Sequence, residues 1–201
     1  TTLGNKFESN DNIISFDELQ YFIGLKSLMG REFYGCNRLT SIIIPEGVTI
    51  LNKWCFNDCD ALQTVKLPST LQTIGEGAFY VCTNLVTADL PDGLTEIGSE
   101  AFYNCYKYKL NKLPSSIRKI GYEAFYNTNI TSITIPSSIK TFELSCFSNT
   151  NNLTKVYYEG TIEDWCNITF VNDDSHPMDY AEHFYMLDEN NEYYEVTEIV
   201  I

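Results

Sequence analysis

The sequence predicts a solenoid, which is a single domain built from stacked coils of about 23 residues each. The main observation is a phenylalanine that recurs in one local context, as in Gly77-Ala-Phe-Tyr and Glu100-Ala-Phe-Tyr. Successive copies are separated by 23, 23, 23, 23 and 22 residues. The six copies, which number the coils one to six, are Phe33, Phe56, Phe79, Phe102, Phe125 and Phe147.

Other positions repeat in step with the phenylalanines. In the first five coils, a proline follows the repeated strand positions, which are apolar in most coils, as in Leu62, Val65 and Leu67. Alternating apolar residues predict a strand with one buried face, and proline ends a strand because it cannot donate a ladder hydrogen bond. The Ala-Phe-x-x-Cys stretch predicts a turn of 3₁₀ or α-helix on the opposite side of the coil. The prolines are Pro45, Pro68, Pro91, Pro114 and Pro136.

Three irregularities interrupt this pattern. Tyr108 and Asn111 stand where Leu and Val are expected, which predicts a bulge or a shifted register near residues 107–112. The fifth coil is one residue short between Phe125 and Ile130. After Tyr158 the repeat is interrupted.

The repeat boundaries suggest three parts. We expect residues 1–16 to be an N-terminal extension, 17–160 a solenoid with its N-terminal cap, and 161–201 an insertion followed by a further repeat or a C-terminal cap. Residues 17–22 fit a short capping helix or a degenerate first strand. Residues 196–201 read like the strand of another unit, which ends on an exposed edge or belongs to a longer array. The pairing liability of an exposed edge favours the longer array.

The motif from Leu71 to Pro91, Leu-Gln-Thr-Ile-Gly-Glu-Gly-Ala-Phe-Tyr-Val-Cys-Thr-Asn-Leu-Val-Thr-Ala-Asp-Leu-Pro, resembles the BspA-like, or Treponema-type, leucine-rich repeats of bacterial surface proteins. The resemblance covers about residues 19–160. It implies a leucine-rich-repeat solenoid with a parallel β-sheet on the concave face, and with short 3₁₀ or helical turns and short strands on the other side. The run from Gly160 to Phe170 resembles a Gly-x-x-x-x-Trp insertion of that family.

Composition and charge exclude several classes of function. A hydrophobic fraction of 44% with 20% charged residues is typical of a globular chain. No apolar run approaches the length of a transmembrane helix, and residues 1–12 lack the layout of a signal peptide, so any export signal has been removed. The net charge is −14, and residues 159–201 hold twelve acidic residues and no Lys or Arg. Nucleic acid and anionic membranes are therefore poor partners.

The seven cysteines allow three interpretations: structural thiols, a disulfide or a metal site. Four recur in one column, which does not offer the converging ligand pairs that zinc requires, and two others replace a repeated alanine. Thiols are therefore favoured, although a neighbouring pair such as Cys59 and Cys82 could oxidise. Packing beside Trp165 accounts for Cys166. The column is Cys36, Cys59, Cys82 and Cys105.

The two histidines, His176 and His183, lie near acidic residues. A metal or calcium site is conceivable there, but the spacing matches no known cation loop, so a solvated loop is the favoured interpretation. No phosphate loop or catalytic Cys–His pair is apparent, and we expect no enzyme activity, no cofactor and no metal. The neighbouring acidic residues are Asp173, Asp174, Asp179 and Glu182.

A tyrosine follows the repeated phenylalanine in four coils. These rings either stack on one another and shield the backs of the coils, or form a sticky stripe that recognises a partner or a carbohydrate. The column is Tyr34, Tyr80, Tyr103 and Tyr126.

The outward residues of the repeated strands are the predicted binding surface, because they can vary without disturbing the core. Alternation places Leu110 among them. Their mixed character suits a protein ligand better than a small molecule. The predicted contact residues are Ile43, Lys66, Asp89, Lys112, Thr134 and Tyr157.

The resemblance implies a secreted or cell-surface bacterial protein that acts in adhesion or protein recognition, with host extracellular matrix or another bacterial surface protein as partner. A second hypothesis is a carbohydrate-binding accessory protein that uses the tyrosine column and the acidic tail. A third is a structural spacer that projects another domain.

Overall fold

Coils of this chain are held together by two parallel ladders on different sides of the solenoid. The structure is a computed structural model, and it describes residues 3–171, 176–188 and 190–197. The strands are two to five residues long, as expected for a repeat in which proline and turns follow each strand closely. The prediction of stacked coils of about 23 residues with parallel sheets is confirmed.

Sheets A and C contain the strands that the apolar triplets predict. Every pair in them is parallel except β13 with β14, which is antiparallel. Sheet A contains β1 (Ser15–Phe16), β3 (Ser41–Ile43) and β5 (Thr64–Lys66). Sheet C contains β9 (Ser132–Pro136), β11 (Lys155–Glu159), β13 (His183–Leu187) and β14 (Tyr193–Glu195).

Sheet B runs without a break along another side of the solenoid. Its seven strands are parallel and two residues long. They are β2 (Ser27–Leu28), β4 (Ile50–Leu51), β6 (Thr73–Ile74), β7 (Glu96–Ile97), β8 (Lys119–Ile120), β10 (Thr141–Phe142) and β12 (Thr169–Phe170). The helical segments are a 3₁₀ helix at Asp17–Tyr21, the α-helix α1 at Ile162–Cys166 and a 3₁₀ helix at Pro177–Asp179.

The six repeated phenylalanines lie in one file through the interior. Each is fully buried, and consecutive ring centroids are 5.2–5.5 Å apart with nearly parallel planes. Offset stacking of this kind is favourable beyond the area it buries. Phe7 extends the file, since its ring stacks on Phe33 at 5.4 Å. The N-terminal residues thus contribute to the core.

The back of each coil is a pair of tight turns. In coil three, Tyr80 N donates to Gly77 O and Cys82 N donates to Phe79 O, which are bonds of the 3₁₀ type. The N–H groups of Phe79 and Val81 instead donate to the next coil. Left-handed residues separate the turns and prevent a continuous helix, with φ of 57° at both Gly77 and Val81.

An Ile-Gly pair recurs in the sequence at Gly75, Gly98 and Gly121, and close contact between coils accounts for it. A β-carbon built on Gly98 would lie 2.7 Å from Glu76 N and 2.8 Å from Gly75 C. Only glycine allows the backbones to approach this closely.

Coil four breaks the regular ladder, as predicted. Tyr108 is buried, its ring stacks on Phe102 at 4.6 Å, and its hydroxyl donates to Ala88 O at 2.9 Å. Leu110 is buried and Asn111 is exposed. The prediction that Leu110 points outward was wrong, because the shifted register turns this residue into the core. Sheets A and C are separate for this reason.

Both ends continue the solenoid. At the N-terminus β1 pairs with β3, and residues 17–21 form the predicted capping helix rather than a strand. At the C-terminus β12 and β13 extend sheets B and C. Val196 and Thr197 are irregular, so the strand predicted over 196–201 does not form there, and residues 198–201 lie outside the described residues. The proposed division at residues 16 and 160 stays a prediction.

The interruption after Tyr158 is a short insertion within one coil. The starts of β10 and β11, Thr141 and Lys155, are 14 residues apart, and so are those of β12 and β13. The extra residues therefore lie between β11 and β12, where α1 is found. Thr161 and Asp164 form a capping box at its start, and Trp165 is buried against Tyr158 at 4.9 Å.

Candidate binding surface

We call the outward side of sheets A and C, with the segments of coils three and four between them, the strand face. Four predicted contact residues lie in its strands: Ile43 in β3, Lys66 in β5, Thr134 in β9 and Tyr157 in β11. Asp89 and Lys112 lie in the irregular coils between the sheets, and both are exposed. The structure brings five of these residues together in two groups, one on each side of the register break, and Asp89 belongs to neither group.

The N-terminal group contains Ile43 and Lys66, which are paired in register. They line a cleft of about 280 Å³ together with Ile23, from the segment after the first 3₁₀ helix. The Ile23 and Tyr21 side chains are 79% and 74% exposed, so the cap presents apolar groups to solvent. The sequence analysis missed this contribution, although the adjacent apolar residues Tyr-Phe-Ile in a cap were a possible signal.

The C-terminal group contains Lys112, Thr134 and Tyr157. Thr134 lies between the other two residues. It forms an isolated parallel β-bridge with Lys112, and the β9–β11 register pairs it with Tyr157. Lys112 Nζ forms an ion pair with Glu159 Oε1 at 2.6 Å. The hydrogen bond to this carboxylate raises the pKa of Lys112, so the ammonium stays charged.

Tyr157 is part of an aromatic cluster that the sequence analysis did not find. Its ring stacks on Tyr185 at 4.8 Å and meets Tyr193 edge-on at 5.0 Å. Tyr185 and Tyr193 come from β13 and β14, which follow the interruption of the repeat, so no repeat position identified them. Partial burial raises the pKa of Tyr193, and Glu159 adds to the shift.

An acidic cleft of about 270 Å³ lies beside this cluster. Glu159, Asp164 and Asp188 line it. Hydrogen bonds from Thr161 lower the pKa of Asp164, and those from the backbone N–H groups of Glu192 and Asn190 lower the pKa of Asp188. Hydrogen bonding to the ionised form therefore keeps both carboxylates charged.

The tyrosine column lies on the back of the coils, where its rings stack on one another. Tyr80 and Tyr103 are 4.8 Å apart, and Tyr103 and Tyr126 are 4.6 Å apart, with planes within 8°. Tyr34 lies apart from this stack, under the guanidinium of Arg31 at 4.1 Å. Both faces of Tyr103 are therefore covered, and Trp54 contacts the other side of Tyr80 with ring centroids 5.8 Å apart.

The cysteine column is structural in its contacts. The Cys59, Cys82 and Cys105 thiols donate to the phenylalanine carbonyl of the preceding coil at 3.0–3.1 Å. Burial raises the pKa of each, and that of Cys36 to about 11, so these groups are poor nucleophiles. Cys166 is exposed while its neighbour Trp165 is buried. Packing therefore does not account for Cys166, and that prediction was wrong.

The two histidines have different surroundings. His176 packs on Phe170 at 4.3 Å and accepts a hydrogen bond from Met178 N, and burial lowers its pKa. His183 Nδ1 lies 2.5 Å from Glu195 Oε1. Among the described residues, no group of three or more His, Cys, Asp or Glu side chains could hold a metal ion. Asp173 and Asp174 lie outside the described residues.

None of the helices in the described part of the chain has the length and apolarity needed to cross a membrane.

A model of the BspA type leucine-rich repeat region matches residues 26–154 in six copies. The chain belongs to this family. The match confirms the resemblance of the sequence to BspA-like repeats, and it covers all six phenylalanines of the interior file. A comparison with curated proteins gives no match.

Solved structures of bacterial repeat proteins are similar to this BspA-type chain. A leucine-rich repeat protein of T. pallidum has 27% identity and a TM-score of 0.62, covering 67% of this chain and 66% of that one. A leucine-rich repeat protein from Bacteroides ovatus has 28% identity and a TM-score of 0.60, covering 66% and 35%. This chain thus spans about two thirds and about one third of their lengths.

A leucine-rich cell surface protein from Faecalibacterium prausnitzii has 24% identity and a TM-score of 0.53, covering 84% of this chain and 48% of that one. At this identity the likeness concerns the fold. BspA-type repeats are a surface-protein family, which suggests a protein-binding or surface role for this chain.

Proposed function

We propose that this chain is a non-enzymatic binding protein of the bacterial cell surface or secreted fraction, which recognises partner proteins through its strand face in adhesion. Its partner is a host extracellular-matrix protein or a surface protein of another bacterium. The supporting observation is that the side chains of each strand alternate between the buried core and the outward surface. In β11, for example, Val156 and Tyr158 are buried while Tyr157 and Lys155 face outward.

The outward residues suit a protein ligand. They combine charged groups such as Lys66 and Asp89 with the aromatic ring of Tyr157, and aromatic residues dominate the energetics of protein interfaces. The clefts of the strand face have volumes of about 270–430 Å³, at the small end of the range for ligand pockets. A broad surface of this kind fits a macromolecule better than a small substrate.

A carbohydrate-binding role for the tyrosine column is less well supported. Sugars stack on aromatic faces, but the faces of Tyr103 are covered by Tyr80 and Tyr126. A glycan array tests this alternative, since a defined sugar lost in Tyr80→Ala and Tyr103→Ala would favour it.

Binding of the purified chain to immobilised extracellular-matrix proteins and purified bacterial surface proteins tests the proposal. We expect the double variant Lys66→Glu/Tyr157→Ala to bind at least about tenfold more weakly than the parent. The matched control is Arg118→Glu/Tyr106→Ala, which also reverses one cation and removes one exposed tyrosine. Arg118 directly precedes β8 of sheet B, and Tyr106 lies near Tyr80 on the back of the coils.

Three results are against the proposal. One is that no protein in either panel binds the chain, as expected of a structural spacer. The second is unchanged binding by the strand-face variant. The third is an equal loss in the control, which would assign binding to another side of the solenoid.

A further inference from the structure

The rings of Tyr157, Tyr185 and Tyr193, which we call the tyrosine patch, form a cluster on the outside of sheet C, in which Tyr157 and Tyr185 are partly buried. The β11–β13 register pairs Tyr157 with Tyr185, and the β13–β14 register pairs Leu187 with Tyr193. Tyr193 is 42% exposed. The core does not use these rings, because Val156 and Phe184 of the same strands fill the interior.

Carboxylates surround the tyrosine patch. Glu159 and Asp188 line the adjacent acidic cleft with Asp164, and Glu195 lies on the other side, beside His183. The pKa values of Asp164 and Asp188 are lowered, so this side of the patch stays anionic at neutral pH. The charge belongs to a larger asymmetry, since residues 159–201 contain twelve acidic residues and no Lys or Arg.

Two cations also lie near the patch. Lys112 is paired with Glu159, so its charge is largely compensated. Lys155 is exposed at the start of β11, in register with His183. A third cation, Lys140, acts on Asp164 in the acidic cleft. Four carboxylates against three ammonium groups, one of them already paired with Glu159, leave an anionic surface around aromatic rings. This combination attracts cations, because a ring face and a carboxylate both stabilise an ammonium or guanidinium group.

We infer that the tyrosine patch and its carboxylates bind a basic segment of the partner protein. One Lys or Arg side chain of that segment lies against the tyrosine rings, and a neighbouring cation enters the acidic cleft. The inference rests on the proposed function and names the chemistry of its partner. An acidic segment or a second copy of this chain would be repelled by the same carboxylates.

A labelled peptide of alternating lysine and glycine, titrated with the whole chain by fluorescence anisotropy, tests this inference. We expect saturable binding that weakens with added salt, and no binding of the same peptide with glutamate in place of lysine. Tyr157→Ala and Tyr193→Ala should each weaken binding by about tenfold. Tyr157→Phe should retain it, because phenylalanine preserves the ring face.

Two further variants sharpen the result. Lys112→Ala should strengthen binding of the lysine peptide, because it leaves the Glu159 carboxylate available to the ligand. Tyr106→Ala, which removes a tyrosine that is 47% exposed and lies near Tyr80 on the back of the coils, should leave the affinity unchanged. Circular dichroism and thermal unfolding of each variant identify any that fail to fold. If an alanine variant does, the comparison of the lysine and glutamate peptides on the parent chain carries the test.

Equal affinity for Tyr157→Ala, Tyr193→Ala and the parent would overturn the inference, as would equal weakening in Tyr106→Ala. Tighter binding of the glutamate peptide would also overturn it. Self-association that is lost in Tyr193→Ala, measured by light scattering, would assign the patch to a second copy of the chain. If the peptide fails to bind while Lys66→Glu/Tyr157→Ala still loses the partner protein, this inference fails and the proposed function stands.

Discussion

The N-terminal half of the solenoid and its C-terminal coils carry different residues at the outward positions of the strand face. In sheet A and coil three, one outward column consists of small hydroxyl residues, namely Ser41, Thr64 and Thr87. In sheet C, outward positions hold Tyr157 and Tyr185, which stack on each other. The inward positions are apolar and buried in both regions. The core is thus continuous along the solenoid, whereas the stacked aromatic rings of the strand face lie where the repeat becomes irregular.

The largest expected effect is on the free energy of unfolding, which should fall much more when a core ring is removed than when an outward ring is removed. Phe102 contacts a ring in each neighbouring coil as well as Tyr108, so Phe102→Ala should reduce the free energy of unfolding by about 3–5 kcal/mol. Tyr193→Ala should change it by less than about 1 kcal/mol. Urea unfolding measures both. Similar losses in the two variants would contradict the division between core and binding positions.

A smaller effect is expected where the coils approach each other most closely. Gly98→Ala places a methyl group 2.7 Å from Glu76 N, which should reduce the free energy of unfolding by about 1–3 kcal/mol. At Gly93 the nearest atom would be 3.5 Å away, so Gly93→Ala should be neutral within about 0.5 kcal/mol. Equal stability of the two variants in thermal unfolding would argue against tight stacking.

A stabilising substitution is available on the back of coil three. Val81 is β-branched and has a φ of 57°, whereas the equivalent positions in the next two coils are Asn104 and Asn127. Val81→Asn should relieve this strain and raise the free energy of unfolding by about 1 kcal/mol. Val86→Asn, at an exposed position without positive φ, is the control. A loss of stability in Val81→Asn would contradict the left-handed turn.

The smallest effect on stability is expected for modification of Cys166. An aromatic disulfide reagent should react with one thiol per folded chain and with seven after unfolding, because the other six are buried. The unfolding midpoint of the singly modified chain should match that of the parent. Rapid reaction of several thiols in the folded state would contradict their burial, and Cys166→Ser identifies the reactive group.

The residues of the interior could be predicted from the sequence because the same apolar pattern recurs in successive coils. Six phenylalanines at nearly constant spacing require a common environment, and Tyr108 with Asn111 marked the break in register before the structure was known. Phe7 was missed because it precedes Phe33 by 26 residues, outside the repeat spacing. Leu110 was misplaced because simple alternation ignores the bulge that the same coil contains.

The tyrosine patch depends on pairing that repeats do not encode. β13 follows an insertion and the loop after β12, and β14 reverses direction to pair antiparallel with it. Tyr157 was predicted from alternation alone, whereas Tyr185 and Tyr193 required the register of these strands. Cys166 illustrates the same limit, because one turn of α1 buries Trp165 and exposes its neighbour.

Amide hydrogen exchange of the whole chain, measured alone and with a saturating amount of the lysine–glycine peptide, tests most directly which side of the solenoid binds. We predict slower exchange in residues 155–159, 183–187 and 193–195 of sheet C, with unchanged exchange in sheet B and in the turns on the back of the coils. Protection confined to sheet B or to those turns would contradict binding through the strand face.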